Sequence, residues 1–246
     1  MRRLFPSLAA ALLVLAGCKH EFKTACYEDD LAMAVAEGAE DSLLFSVNLE
    51  YVTGGVEEAA MARINGTLAT VAFDQGDEAG LEETAIQYRE QVIDEYLTEF
   101  SGAAVDGPRS WEESIEGMFT QDYKKLKNYT LTYYSQLGNN PATYTINYLV
   151  FDPETGELVP EDAFFQEGWR EPVAEILRAS LRKSLTENGD EEVLELIDWD
   201  ALAPNGNYCV DAGGMEWAFQ PYEVGAYVYT LMSANAGWDE LKPYLK

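Results

Sequence analysis

Residues 198–245 read DWDALAPNGNYCVDAGGMEWAFQPYEVGAYVYTLMSANAGWDELKPYL. Asn205-Gly206-Asn207 is turn chemistry opening onto Tyr208, and Gly213-Gly214 is a second turn. Between and after them, aromatic and aliphatic residues recur at near-alternate positions, from Tyr208 through Trp217 and Phe219 to Tyr227 and Tyr229. Successive side chains on a strand point to opposite faces, so this spacing predicts strands joined by short turns, and therefore antiparallel pairing. Pro221-Tyr222-Glu223 breaks the run and marks a bulge or an edge, because proline cannot donate to a ladder.

Upstream, the period changes. Val173, Ile176, Leu177, Leu181 and Leu185 share one helical face, with Pro172 tolerated in the first turn. A short acidic helix is expected over Asp190–Ile197, its acids favoured at the N-terminus by the helix dipole. Asp152-Pro153-Glu154-Thr155-Gly156 is a turn that follows a strand over Thr143–Phe151, and Tyr129–Gln136 is a further strand. Leu81–Phe100 is the clearest helix and Glu57–Val71 a second. Ser42–Val52 alternates as a strand, ended by Gly54-Gly55. The small-residue stretch Ser101–Ser110 is the best internal boundary. Strands and helices grouped in this order predict an α+β fold, with antiparallel sheets, packed helices and two closely associated subdomains, 24–107 and 108–246.

The first residues have a different character. Arg2 and Arg3 precede the apolar run Leu8–Leu15, too short to span a bilayer, and small residues follow. Leu15-Ala16-Gly17-Cys18 resembles a bacterial lipobox. The expectation is a signal peptide over 1–17, lipidation of Cys18, and a tether over 18–23. Lipid on Cys18 makes a membrane the first partner, several acyl chains together holding durably at about 0.8 kcal/mol per buried methylene. Lys19 is not the aspartate associated with inner-membrane retention, so the expected location is the cell envelope, at the outer membrane of a Gram-negative bacterium.

Removing residues 1–17 takes away two arginines and no acid, leaving 14 basic and 44 acidic residues and a formal charge of −30. That field repels nucleic acid and speeds encounter with cationic partners. Export places Cys26 and Cys209 where thiols tend to oxidise, and a disulfide between them is the expected pairing.

The stretch containing Trp217, Phe219, Pro221, Tyr222, Glu223, Gly225 and Tyr227 resembles the C-terminal domain of the RsiV-type family, found in the extracellular part of lysozyme-sensing anti-sigma factors. Tyr148–Asp152 with Thr155–Val159 fits the family's strand-turn pattern, and Ala163-Phe164-Phe165 stands where it usually has Asp-Leu-Phe. Residues 43–68 resemble the small domain that precedes a deacetylase in PdaC-type proteins. The resemblance implies an envelope binding protein whose ligand is a lysozyme-like protein or peptidoglycan glycan. The chain departs from the family at Leu137–Ala142, where a histidine-bearing loop is absent. Strand packing by itself accounts for the aromatic residues of the motif.

Catalytic chemistry is poorly supplied. The only histidine, His20, sits in the tether with nothing fixed around it, and no nucleophile elbow, P-loop or dinucleotide fingerprint is present. No catalytic residue, metal ligand or cofactor is assigned. A non-enzymatic binding protein is the first expectation and a structural envelope lipoprotein the second. An acid-pair glycan hydrolase, which would need two convergent carboxylates in a cleft, is the last.

Overall fold

The computed structural model describes residues 21–34, 42–75, 80–100, 110–138, 140–225 and 231–246; the signal segment, Cys18 and Tyr227 lie outside them. Strand β2 (Ser42–Gly54) follows from its alternation: Leu43, Phe45, Val47 and Leu49 are at most 2% exposed, while Leu44 and Asn48 face outward. Past Gly55 the period becomes helical. Helix α1 (Glu58–Phe73) buries Ala60, Ile64, Leu68 and Ala72, and α2 (Leu81–Phe100) buries Ala85, Val92 and Tyr96. Both helices close over the Leu43–Leu49 face, forming a core with Ile115, Leu131 and Leu149. Each such aliphatic side chain contributes about 1.5–3 kcal/mol when taken from water.

The sheet has five strands in the order β1 (Lys23–Met33), β2, β3 (Ser110–Phe119), β4 (Lys127–Leu137) and β5 (Thr143–Phe151). Its neighbours are antiparallel except β2 and β3, which run parallel from Ser42↔Ser110 to Leu49↔Gly117. The α+β class with mainly antiparallel sheets is thus what the chain adopts. The one parallel pair arises because α1 and α2 occupy the β2–β3 connection, and a crossover over one face returns the chain in the same direction.

After β5, the Asp152 carboxylate accepts the Glu154 N–H at 2.8 Å and Gly156 has φ +76°, as its turn chemistry requires. A Cβ at Gly156 would come 2.3 Å from the Ala60 carbonyl oxygen, so glycine also lets this turn sit directly on α1. Helix α3 (Arg170–Asn188) carries Pro172 in its first turn and ends where Gly189 turns left-handed at φ +81°. Its Val173, Leu177 and Leu181 pack on a second sheet of β6 (Tyr208–Val210), β7 (Gly214–Phe219) and β8 (Met232–Gly237), all antiparallel, with the short α4 (Trp238–Leu241) behind. The acidic stretch after α3 makes only a 3-10 turn, Glu191–Glu195.

The two hydrophobic cores divide near residue 150, whereas the sequence reading sets its internal boundary after residue 107. Strands β3, β4 and β5 complete the sheet that β1 and β2 begin, because two strands alone could not cover the apolar faces of two helices. Side-chain amides join the sheets. Asn207 accepts the Tyr148 N–H and donates to the Ile146 carbonyl, and Gln220 makes the same kind of pair with Ile146. These amides satisfy the edge of β5 that no strand covers. Asn128 does likewise for Val210, bonding its N–H and C=O at 3.1 and 2.7 Å.

Candidate binding surface

Because the helices cover one face of the five-stranded sheet, the alternate residues form an open face on the other side. Two rows cross all five strands: Glu28–Asn48–Glu116–Thr132–Ile146 and Asp30–Ser46–Ser114–Tyr134–Tyr144. At a strand spacing near 4.8 Å, each row is about 19 Å long. Beside them lie Leu44 and Glu112 in one direction and Glu50, Met118 and Tyr148 in the other. The second sheet covers only a corner, where Val150 joins the second core and Tyr148 donates its hydroxyl to Glu216 at 2.8 Å. That bond and burial push the Tyr148 phenol well above its ordinary range, burial being the larger cause.

The composition of this face is one-sided. Glu28, Asp30, Glu50, Glu112 and Glu116 lie on it, and its strand positions hold no lysine, arginine or histidine. Glu50 is committed internally, accepting from the Thr24 hydroxyl and the Phe119 N–H. The other four carboxylates are exposed and form no ion pair among the described residues. On α3, by contrast, Arg178 holds both Glu171 and Glu175. Apolar groups also break the surface here: Met118 is 54%, Leu44 47% and Tyr144 36% exposed. Uncompensated charge beside exposed apolar side chains is the makeup of a contact surface, since solubility alone requires only the charge.

The residues singled out by sequence fall elsewhere. Trp217 and Phe219 are fully buried in the second core, and the Trp217 indole donates to Glu161 at 2.9 Å. Gln220-Pro221-Tyr222-Glu223 is a tight turn closed by the Glu223 N–H on the Gln220 carbonyl, with Tyr222 at φ +70°. The Glu223 carboxylate holds the turn, accepting from the Gln220 N–H and from Asn205. Gly225 bridges to Ile197. Packing therefore accounts for Trp217 and Phe219, and turn geometry for Pro221 and Glu223, while Tyr227 lies outside the described residues. Tyr222 differs: it is 73% exposed on a backbone that glycine or asparagine normally occupies, two residues past Gln220, which bonds Ile146 on β5.

The expected Cys26–Cys209 disulfide is not formed; both thiols are free. Cys26 lies on β1, the outer edge of the five-stranded sheet, and Cys209 on β6, beyond β5. Crossing from β1 to β5 alone takes about 19 Å, well past the roughly 7 Å between Cα atoms that a disulfide tolerates. Burial, with Glu216 and Asp211 nearby, pushes the Cys209 thiol up to about 12. Alkylation of the native chain at mild alkaline pH is therefore expected to label the exposed Cys26 and spare Cys209, with both labelled after denaturation. Peptide mass spectrometry reads the pattern, and equal native labelling would refute it.

Residues 162–234 match a domain family described as a protein of unknown function, DUF3298. Two crystal structures resemble the fold. A member of the DUF3298 family from Bacteroides fragilis NCTC 9343 superposes with a TM-score of 0.77 at 16% identity, over 93% of this chain and 95% of that one. A DUF3298 family protein from Pseudomonas aeruginosa PAO1 gives 0.68 at 10% identity, over 93% and 96%. At these identities the likeness establishes the fold alone. No curated protein matches the chain. The likeness to DUF3298 lies over residues 162–234 in sequence and over the whole fold in structure, and does not extend to the RsiV-type or PdaC-type families.

Proposed function

We propose that this chain, with its DUF3298 domain, is a lipid-anchored envelope protein that binds a basic, lysozyme-like protein without catalysing a reaction. The observation that carries the reading is the open sheet face, with Glu28, Asp30, Glu112 and Glu116 exposed and no cation among its strand positions. Like charges on a free surface repel one another, and a cationic partner relieves that repulsion as it docks. Leu44, Met118 and Tyr144 supply apolar contact that charge alone would lack. The exposed Tyr222 is an aromatic group of the kind that dominates interface energetics. The lipobox-like Leu15–Cys18 supports the anchor, and Lys19 after it supports an outer-membrane location. No helix among the described residues is long and apolar enough to cross a membrane.

Calorimetry of the intact chain in mild detergent against a basic lysozyme, at low and physiological salt, tests the reading. Saturable binding is expected to persist at physiological salt and to weaken at least tenfold in a Glu112→Lys/Glu116→Lys variant, a loss of about 1.4 kcal/mol or more. Both side chains are exposed, so the reversal should leave the fold intact, which circular dichroism checks. Binding that disappears with modest salt, or that ignores the reversal, would sink the proposal.

A further inference from the structure

On the other side of the sheet, α2 leaves a groove of about 800 Å³ between its outer flank and the ends of β3 and β4. Ile86, Trp111 and Leu137 give it apolar lining, the last two being a cross-strand pair. Asp94, Glu95 and Glu99 form its wall. Glu90 lines it too but is already bonded to Arg89, which also holds Asp29. Among the described residues, no lysine or arginine lines the groove, and Asp94, Glu95 and Glu99 join no ion pair. Ile86 is 41% exposed, on a helix otherwise rich in acidic side chains.

We infer that this groove is a second binding site, independent of the sheet face, and that it takes a basic amphipathic helix from a partner protein. Length, floor and wall each select that occupant. The lining runs from Ile86 to Glu99 along α2, about 20 Å at the helical rise, which matches three to four turns of a helix lying alongside. The apolar floor takes the leucine-like stripe of such a helix, while Asp94, Glu95 and Glu99 meet lysine or arginine on its flank. An uncharged apolar helix would leave the wall without counter-charges. A second copy of this chain would bring its own net charge of −28 against the groove.

The test uses the intact chain and a synthetic Leu/Lys amphipathic helix of about 18 residues, with a scrambled peptide of identical composition as control. Fluorescence anisotropy of the labelled peptide is expected to show saturable binding, at least tenfold weaker for the scrambled peptide. Ile86→Ser, which changes no charge, and Glu95→Lys are each expected to weaken binding severalfold, whereas Glu112→Lys/Glu116→Lys leaves it unchanged. Equal binding of the scrambled peptide would reduce the effect to net charge and overturn the site. So would binding lost on reversal of the sheet face and kept in the groove variants, an absence of binding, or self-association through α2 in place of peptide capture. Failure of the lysozyme reading would leave the groove result standing, because the two sets of substitutions lie on opposite sides of the sheet.

Discussion

Replacing Glu161 with alanine is expected to destabilise the protein by about 3–6 kcal/mol, enough to remove much of a typical domain's margin. The Glu161 side chain is 4% exposed and sits where the second core meets the loop before β6. One oxygen accepts the Trp217 indole N–H at 2.9 Å and the Gly206 N–H at 3.2 Å; the other faces Arg170 at 2.8 Å. Two effects compete to explain why it matters. The ion pair is the lesser, because Arg170 is 54% exposed and water can replace its partner. The donors are the greater, since Trp217 is fully buried and its N–H has nowhere else to go. Hydrogen bonds to a charged acceptor are worth about 1.5–3 kcal/mol each, and two of them give the stated range. Arg170→Ala, which also loses a bond to the Pro204 carbonyl at 3.1 Å, should therefore cost less, about 1–2 kcal/mol, and Glu161→Gln an intermediate amount. Urea unfolding of the three variants orders them; an Arg170 effect equal to that of Glu161→Ala would show the ion pair to dominate.

Glu113→Ala is expected to cost about 2–4 kcal/mol, because it strands two half-buried donors. Glu113 lies on β3 beneath α2, 2% exposed, and accepts from the Tyr88 hydroxyl and, at 3.1 Å, from the Trp111 indole. Burial raises its pKa above the ordinary carboxylate value, while bonds from Tyr88, Trp111 and Tyr133 pull it back in part and Glu95 adds a small rise. The folded chain thus holds this proton more tightly than the unfolded chain. Stability from this group is fully present below the unfolded value, about 4.3, and is lost as pH rises through the higher folded value. Glu113→Gln keeps the shape and cannot ionise. Its stability relative to the parent should improve as pH rises across that window and level off above it. Parallel denaturation curves at several pH values measure the gap, and a constant gap would refute the assignment.

How much of this was legible depended on what each strand buries. Helix α2 and strand β5 were readable to the residue, α2 from the helical spacing of Ala85, Val92 and Tyr96, and β5 from a β-branched and aromatic run that the Asp152 turn ends. Strand β3 was not, since its core-facing row runs Trp111, Glu113, Ile115, Gly117, with an acid and a glycine among the positions that should be apolar. Tyr129 explains the glycine: its ring lies against Gly117, where a Cβ would collide with it. Strand β1 hid behind Glu28-Asp29-Asp30, of which only Asp29 turns inward, to Arg89. Strand β8 buries Met232, Ala234 and Ala236, a row too small to register as a core strand although α3 packs closely on it. The candidate face was hidden for the same reason. Its acids alternate with core residues on β1 and β3, the two strands whose pattern was masked.

The sequence by itself determined the fold class, the helices and the turns, because these rest on local period and on the dihedral preferences of glycine and proline. It also established the acidity of the chain and the place of Trp217 and Phe219 in packing. Tertiary structure decided the rest. It paired β2 with β3 across the expected boundary, held Cys26 and Cys209 the width of a sheet apart, and gave the buried acids Glu113 and Glu161 their donors. It also gathered the exposed acids onto one open face and along one groove. Each of these is a relation between residues distant in the chain, and only the closing of the sheet fixes which of them become neighbours.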